Sequence, residues 1–134
     1  MSERLFTPEE VNKLIPKLTE LVERALDRHR QATELQRYLG QEQARIQVSG
    51  GGLIDQRDWK ARAERLDGLA IEVRQLLQEI LDLGGVTKDL EMGLVDFPGV
   101  VADETVNLCW KYGETAVRFW HGFDEGYAQR KPLP

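Results

Sequence analysis

The chain of 134 residues has one cysteine, two histidines and no apolar run of membrane length. Each scarcity excludes something. A lone Cys109 cannot close an intramolecular disulfide, so a bridge-stapled secreted domain is set aside in favour of a reducing cytoplasm. His29 and His121 lie far apart in sequence, so the paired Cys or His spacings that mark zinc motifs are missing. No stretch approaches the ~18 apolar residues of a spanning helix. The opening MSERLFTPEE has neither the apolar centre nor the small-residue cleavage site of a secretory signal.

An excess of basic charge is also lacking. There are 18 Lys and Arg against 23 Asp and Glu, a formal net charge of −5. Residues 1–49 carry eight charges of each sign and residues 86–134 five basic against eight acidic, so no part of the chain is a basic patch. Neither nucleic acid nor a membrane is therefore an expected partner. Gly50-Gly51-Gly52 lacks both a strand-Gly-helix context and the Lys-Ser/Thr of a phosphate loop. It reads as a flexible connection.

What is present is, first, helix. Thr7-Pro8-Glu9-Glu10 supplies an N-cap hydroxyl, a proline at the first helical position and a carboxylate at the third. Val11, Ile15, Leu18, Val22, Ala25, His29 and Ala32 then recur in alternating steps of four and three, a coiled-coil-like stripe. Pro16 falls inside the stripe without shifting its phase, which predicts a kink rather than an end. His29 on the stripe reads as a specificity device. A second helix starts near Asp55 or Asp58 and carries Trp59, Ala63, Leu66, Ala70, Val73, Leu77 and Ile80, with Gly84-Gly85 as its stop.

After Gly85 the grammar changes. Val86–Leu90, Gly93–Phe97, Val106–Tyr112 and Thr115–Phe123 read as strands, the last two joined by a tight turn at Gly113-Glu114. That turn pairs Leu108 with Phe119 and Val106 with His121. Cys109 and Trp120 then share the polar face, opposite to His121. A slip of one residue would unite Cys109 and His121 but would mix Arg118 into the Leu108-Trp110 row. On the segregated register a Cys-His nucleophile is excluded, because thiol and imidazole must meet.

Candidate binding residues concentrate in this segment. Arg118, Trp120, Arg130 and Lys131 could form an anion pocket, with tryptophan as a stacking plate and arginine as a bidentate donor. Asp96, Glu114, His121 and Asp124 offer oxygen and nitrogen to a divalent ion. Yet His121-x-x-Asp124 is common by chance, and the favoured reading has His121 hydrogen-bonded to a carboxylate such as Asp96. No metal or other cofactor is assigned. Taken together, Asp96, Arg118, Trp120, His121, Asp124 and Arg130 are the candidate ligand-binding set, for a small-molecule anion.

The strings FTPEEVNKLIPKL, KDLEMGLVDFP, LCWKYGE and FWHGFDEGYAQRKPL together resemble the bacterial domain of unknown function 2203 family. The likeness covers nearly the whole chain apart from the loop around Gly50–Gly52. It implies a single cytoplasmic domain whose C-terminal segment is its signature, and it carries no activity, cofactor or catalytic residue. The expectation is an α+β fold, one domain over residues 1–134. A long antiparallel two-helix hairpin (7–83) should be followed by a small, mainly antiparallel sheet (86–134). Rods of this length leave apolar surface that a second copy would cover, so a non-catalytic, self-associating homodimer module is the leading functional expectation. A metal- or anion-dependent pocket at the sheet is the alternative.

Overall fold

A computed structural model describes residues 4–48 and 56–134. The Gly50–Gly52 loop and the Asp55 cap lie outside the described residues. Helix α1 spans Pro8–Val48 and α2 spans Gln56–Leu83. Five strands follow: β1 (Val86–Asp89), β2 (Leu94–Val101), β3 (Glu104–Lys111), β4 (Phe119–His121) and β5 (Lys131–Pro132). Their order in the sheet is that of the sequence, and every pairing between strands is antiparallel.

The N-cap forms as the residue types require. Thr7 Oγ1 accepts from the Glu10 N–H at 3.2 Å, and Glu10 Oε1 accepts from the Thr7 N–H at 3.0 Å. Pro16 does not end α1, which runs on for 41 residues in all. Cross-hairpin pairs fix the antiparallel register of the two helices: Arg28 with Glu72, Gln31 with Arg65, and Arg62 over the Tyr38 ring. The buried side of α2 is Leu69, Leu76 and Ile80, rotated from the expected stripe, and Ala70 is exposed.

Gly84 and Gly85 close α2 in a Schellman arrangement, the Gly85 N–H reaching the Ile80 carbonyl at 3.1 Å and the Gly84 N–H that of Leu81 at 2.9 Å. Gly84 has φ +110°, and a Cβ there would stand 2.3 Å from the Phe6 ring. Only glycine fits. Phe6 is buried edge-on against Phe97 and bridges Gly99, extending the sheet just beyond β1.

The inner face of the sheet carries Val95, Phe97, Leu108 and Trp110 onto Val11, Leu18, Leu21 and Val22 of α1 and Leu76 and Ile80 of α2. This core occupies one end of the hairpin. Beyond Ala25, Leu39 is the sole buried apolar residue of α1 among the described side chains.

Strand β2 does not stop at Phe97 as expected. It continues through Pro98 and Gly99 to a two-residue turn, Ala102-Asp103, with φ of 50° and 66°. Pro98 is tolerated because its missing donor falls on the side of the strand past the end of β1, where its carbonyl accepts from Phe6.

The expected register of β3 with β4 is overturned. The observed partners are Asn107 with His121, Leu108 with Trp120 and Cys109 with Phe119. The fourth strand shrinks to three residues. A turn does form at Lys111–Glu114, but it does not close the hairpin. The Glu114 carbonyl accepts from Trp110 Nε1 at 2.9 Å, and the Val117 N–H donates to Asn12 Oδ1 of α1 at 2.8 Å. Residues 112–118 thus leave the ladder and bury Val117 in the core. The chain returns one residue out of step, with Arg118 exposed and outside the sheet. The objection to the slipped register disappears with it.

Candidate functional site

The slip turns His121 onto the outer face of the sheet, the face that already holds Asp96 and Cys109. Asp96 and Cys109 are direct partners across β2 and β3. His121, at the end of β4, reaches over β3 toward them. Its Nε2 lies 3.0 Å from Asp96 Oδ2, the contact expected from the sequence. One ligand atom from each of Asp96, Cys109 and His121 lies within 4.8 Å of the other two, and all three residues are buried. The sequence reading excluded Cys109 from this group. The face assignment, not the chemistry, was at fault.

The loop after β4 orients the imidazole. The Gly122 carbonyl accepts from His121 Nδ1 at 2.8 Å, so Nδ1 carries a hydrogen and Nε2 is turned to the cluster. The carbonyl is placed by a turn in which Glu125 N–H donates to it at 3.1 Å, while Glu125 Oε1 accepts from the Gly122 N–H at 2.7 Å. One proton must then lie between Nε2 and Oδ2, since neither lone pair can face the other without it.

Burial pushes the Cys109 thiol up from 9.0 to about 11, reinforced by the Asp96 carboxylate beside it and opposed by the Arg130 guanidinium. A thiol held protonated at neutral pH is a poor nucleophile. Without a metal, the cluster is a closed proton-sharing network.

Arg130 reaches the outer face from the segment before β5. Its guanidinium lies 3.1 Å from Glu114 Oε2, 3.9 Å from the Phe119 ring centroid and 4.5 Å from that of Tyr127. Glu114 is engaged by this pair and by the Lys111 N–H at 2.7 Å, which removes it from the candidate ligands. Asp124 is exposed and outside the cluster. Trp120 points to the inner face with Leu108, and Lys131, paired with Glu125 at 2.8 Å, lies over its ring. The anion pocket of Arg118, Trp120, Arg130 and Lys131 is not assembled. His29 is half-buried beside Glu91, 3.6 Å away.

A cavity of about 140 Å³ opens on the cluster, with Lys88, Asn107, Phe123, Glu125 and Tyr127 among its walls. Lys88 and Asn107 were not singled out from sequence. Lys88 is an exposed strand residue with nothing local to mark it, and Asn107 became legible only with the register.

No curated protein and no solved structure shows a significant match to this chain. The family model for an uncharacterized conserved protein, DUF2203, matches residues 4–133, from the cap of α1 to the end of the sheet that holds the cluster. The chain belongs to the DUF2203 family.

Proposed function

We propose that this protein binds a divalent transition-metal ion, zinc or a zinc-like ion, through Asp96, Cys109 and His121, and holds a small ligand beside it. The observation that carries this reading is the convergence of a carboxylate, a thiol and an imidazole on one buried point at a cavity wall. Mixed sulfur, nitrogen and oxygen donors suit a borderline-soft ion, and three protein ligands leave a fourth position for water or substrate. The Nδ1–H bond to the Gly122 carbonyl is the kind of outer contact that orients a metal-binding histidine. Ligand atoms around a tetrahedral ion stand about 3.4–3.8 Å apart, within small side-chain rotations of the positions seen. Such an ion would polarise an oxygen bound at its open position. A reduced thiol among the donors is in keeping with the cytoplasm.

Equilibrium dialysis against zinc, followed by elemental analysis, tests the proposal. Wild type should retain about one ion per chain. Cys109→Ala and His121→Gln should each weaken retention by more than the ~10- to 100-fold carried by outer partners. A folded wild-type protein that retains no zinc overturns the proposal, as does full retention by a folded Cys109→Ala variant.

A second reading, self-association along the hairpin, is favoured by the distal half of the rods. There Leu35, Ile46, Trp59 and Leu66 are half-buried and Tyr38 is exposed. Residues 1–49 carry eight charges of each sign, a balance suited to pairing with a second copy. The coiled-coil-like stripes would then form a four-helix dimer.

A further inference from the structure

A second cavity, of about 300 Å³, adjoins the first and shares Lys88, Asp96, Asn107 and Phe123 with it. The remaining walls of this outer space are Val86 and Pro98. Phe123 is 57% exposed and Val86 40%, so a large apolar surface faces water at the mouth of a polar pocket. The inner space is the smaller, and the outer one sets three polar side chains, Lys88, Asp96 and Asn107, against three apolar ones, Val86, Pro98 and Phe123.

The charges of the walls nearly cancel. Glu125 is neutralised by Lys131 at 2.8 Å. The Asp96–His121 pair with its shared proton is neutral, and the Cys109 thiol is uncharged. Replacing their protons by a divalent ion leaves the sum unchanged, because a carboxylate and a thiolate together balance it. Lys88 is left over: it has no ion-pair partner among the described residues and lines both spaces. With or without an ion, the cavity carries one uncompensated positive charge.

Asn107 adds an independent sign. It is only 8% exposed, yet its side-chain amide meets no hydrogen-bond partner among the described residues and borders both cavities. Its amide is not among the fully enclosed unpartnered groups, so it opens on the cavity and is free to meet a ligand. An amide donor beside an ammonium matches the two oxygens of a carboxylate. One cation and one amide offer too little to a phosphate dianion.

We infer that the paired cavities bind a small monocarboxylic acid with an apolar tail, its carboxylate between Lys88 and Asn107 and its tail on Val86, Pro98 and Phe123. The inference shares its cavity with the proposed ion but not its charge, so it stands or falls separately.

Titrating the metal-free and zinc-treated protein with acetate, butyrate and hexanoate, and with hexanamide as the uncharged control, tests it by calorimetry or by chemical-shift changes. Affinity should rise by about threefold for each methylene that reaches the apolar wall. Hexanamide should bind at least about tenfold more weakly than hexanoate. Lys88→Gln should abolish the preference for acid over amide, and Phe123→Ser should flatten the dependence on chain length. Both side chains are exposed, so neither change endangers the fold. Equal binding of acid and amide, or an affinity indifferent to chain length, would overturn the inference. Because the series is run on metal-free and on zinc-treated protein, an acid preference that holds whether or not zinc is retained separates failure of the ion site from failure of the anion site.

Discussion

Cys109 sits in a strand centre, and its surroundings determine what its sulfur can do. Because burial, aided by Asp96, raises its pKa from 9.0 to about 11, the folded chain holds this proton more tightly than the unfolded one. The resulting stability is complete below pH 9 and is lost as pH climbs through about 11. Thermal unfolding across that window should show a steeper alkaline decline for wild type than for Cys109→Ala. A second residue-scale expectation concerns the turn at Ala102-Asp103, where two residues other than glycine hold positive φ. Replacing the pair by Asn-Gly, the residues this turn type favours, should add about 1 kcal/mol and raise the melting temperature by about 3 °C. The pairing of Asp96 with His121 could be read from the sequence because a lone buried histidine needs a carboxylate or carbonyl partner. The turn was hard to read, since alanine rarely holds positive φ, and aspartate, which tolerates it, lacks the glycine that usually follows it in such a turn.

Among the elements, the helix signals were local and held. The cap at Thr7 and the stop at Gly84-Gly85 are chemistry of a few adjacent residues, and both form as the residues dictate. Gly84→Ala combines positive φ with a collision on Phe6, and should destabilise the protein by about 3 kcal/mol in chemical denaturation. Strand register was not local. It depended on Val117 being drawn to α1 by Asn12, a contact across 105 positions that no hairpin rule contains. Tyr112, whose hydroxyl donates to Glu23 of α1 at 2.7 Å, anchors the same excursion from its other end. A shift of one residue moved His121 from one face of the sheet to the other. The cluster of Asp96, Cys109 and His121 was therefore illegible although each of its members was in view. The rotation of the buried side of α2 has a similar origin, since Leu69 and Leu76 face α1 only at the crossing the hairpin adopts.

At the scale of the whole molecule, the two rods are unbroken and the sheet caps one end of them. At ~1.5 Å per residue α1 is about 60 Å long, far beyond the core that ends near Ala25. If the distal hairpin pairs with a second copy, light scattering should give twice the chain mass of 15.3 kDa. Leu35→Asp, at a half-buried position of the distal half of α1, should then return the monomer with little loss of thermal stability in the sheet end. A wild-type monomer at micromolar concentration would remove the self-association reading and leave the pocket untouched. The sheet end and the distal half of the hairpin can thus be tested apart.

The central claim is that Asp96, Cys109 and His121 form a metal site, and cobalt tests it most directly because a thiolate bonded to Co²⁺ absorbs in the near ultraviolet. Titrating metal-free wild-type protein with Co²⁺ in weak buffer should develop that band to saturation at about one ion per chain, with release of about two protons, one from the thiol and one from the Asp96–His121 pair. A folded protein that shows no thiolate band and releases no protons at excess cobalt would contradict the account and leave the three residues a buried hydrogen-bond network.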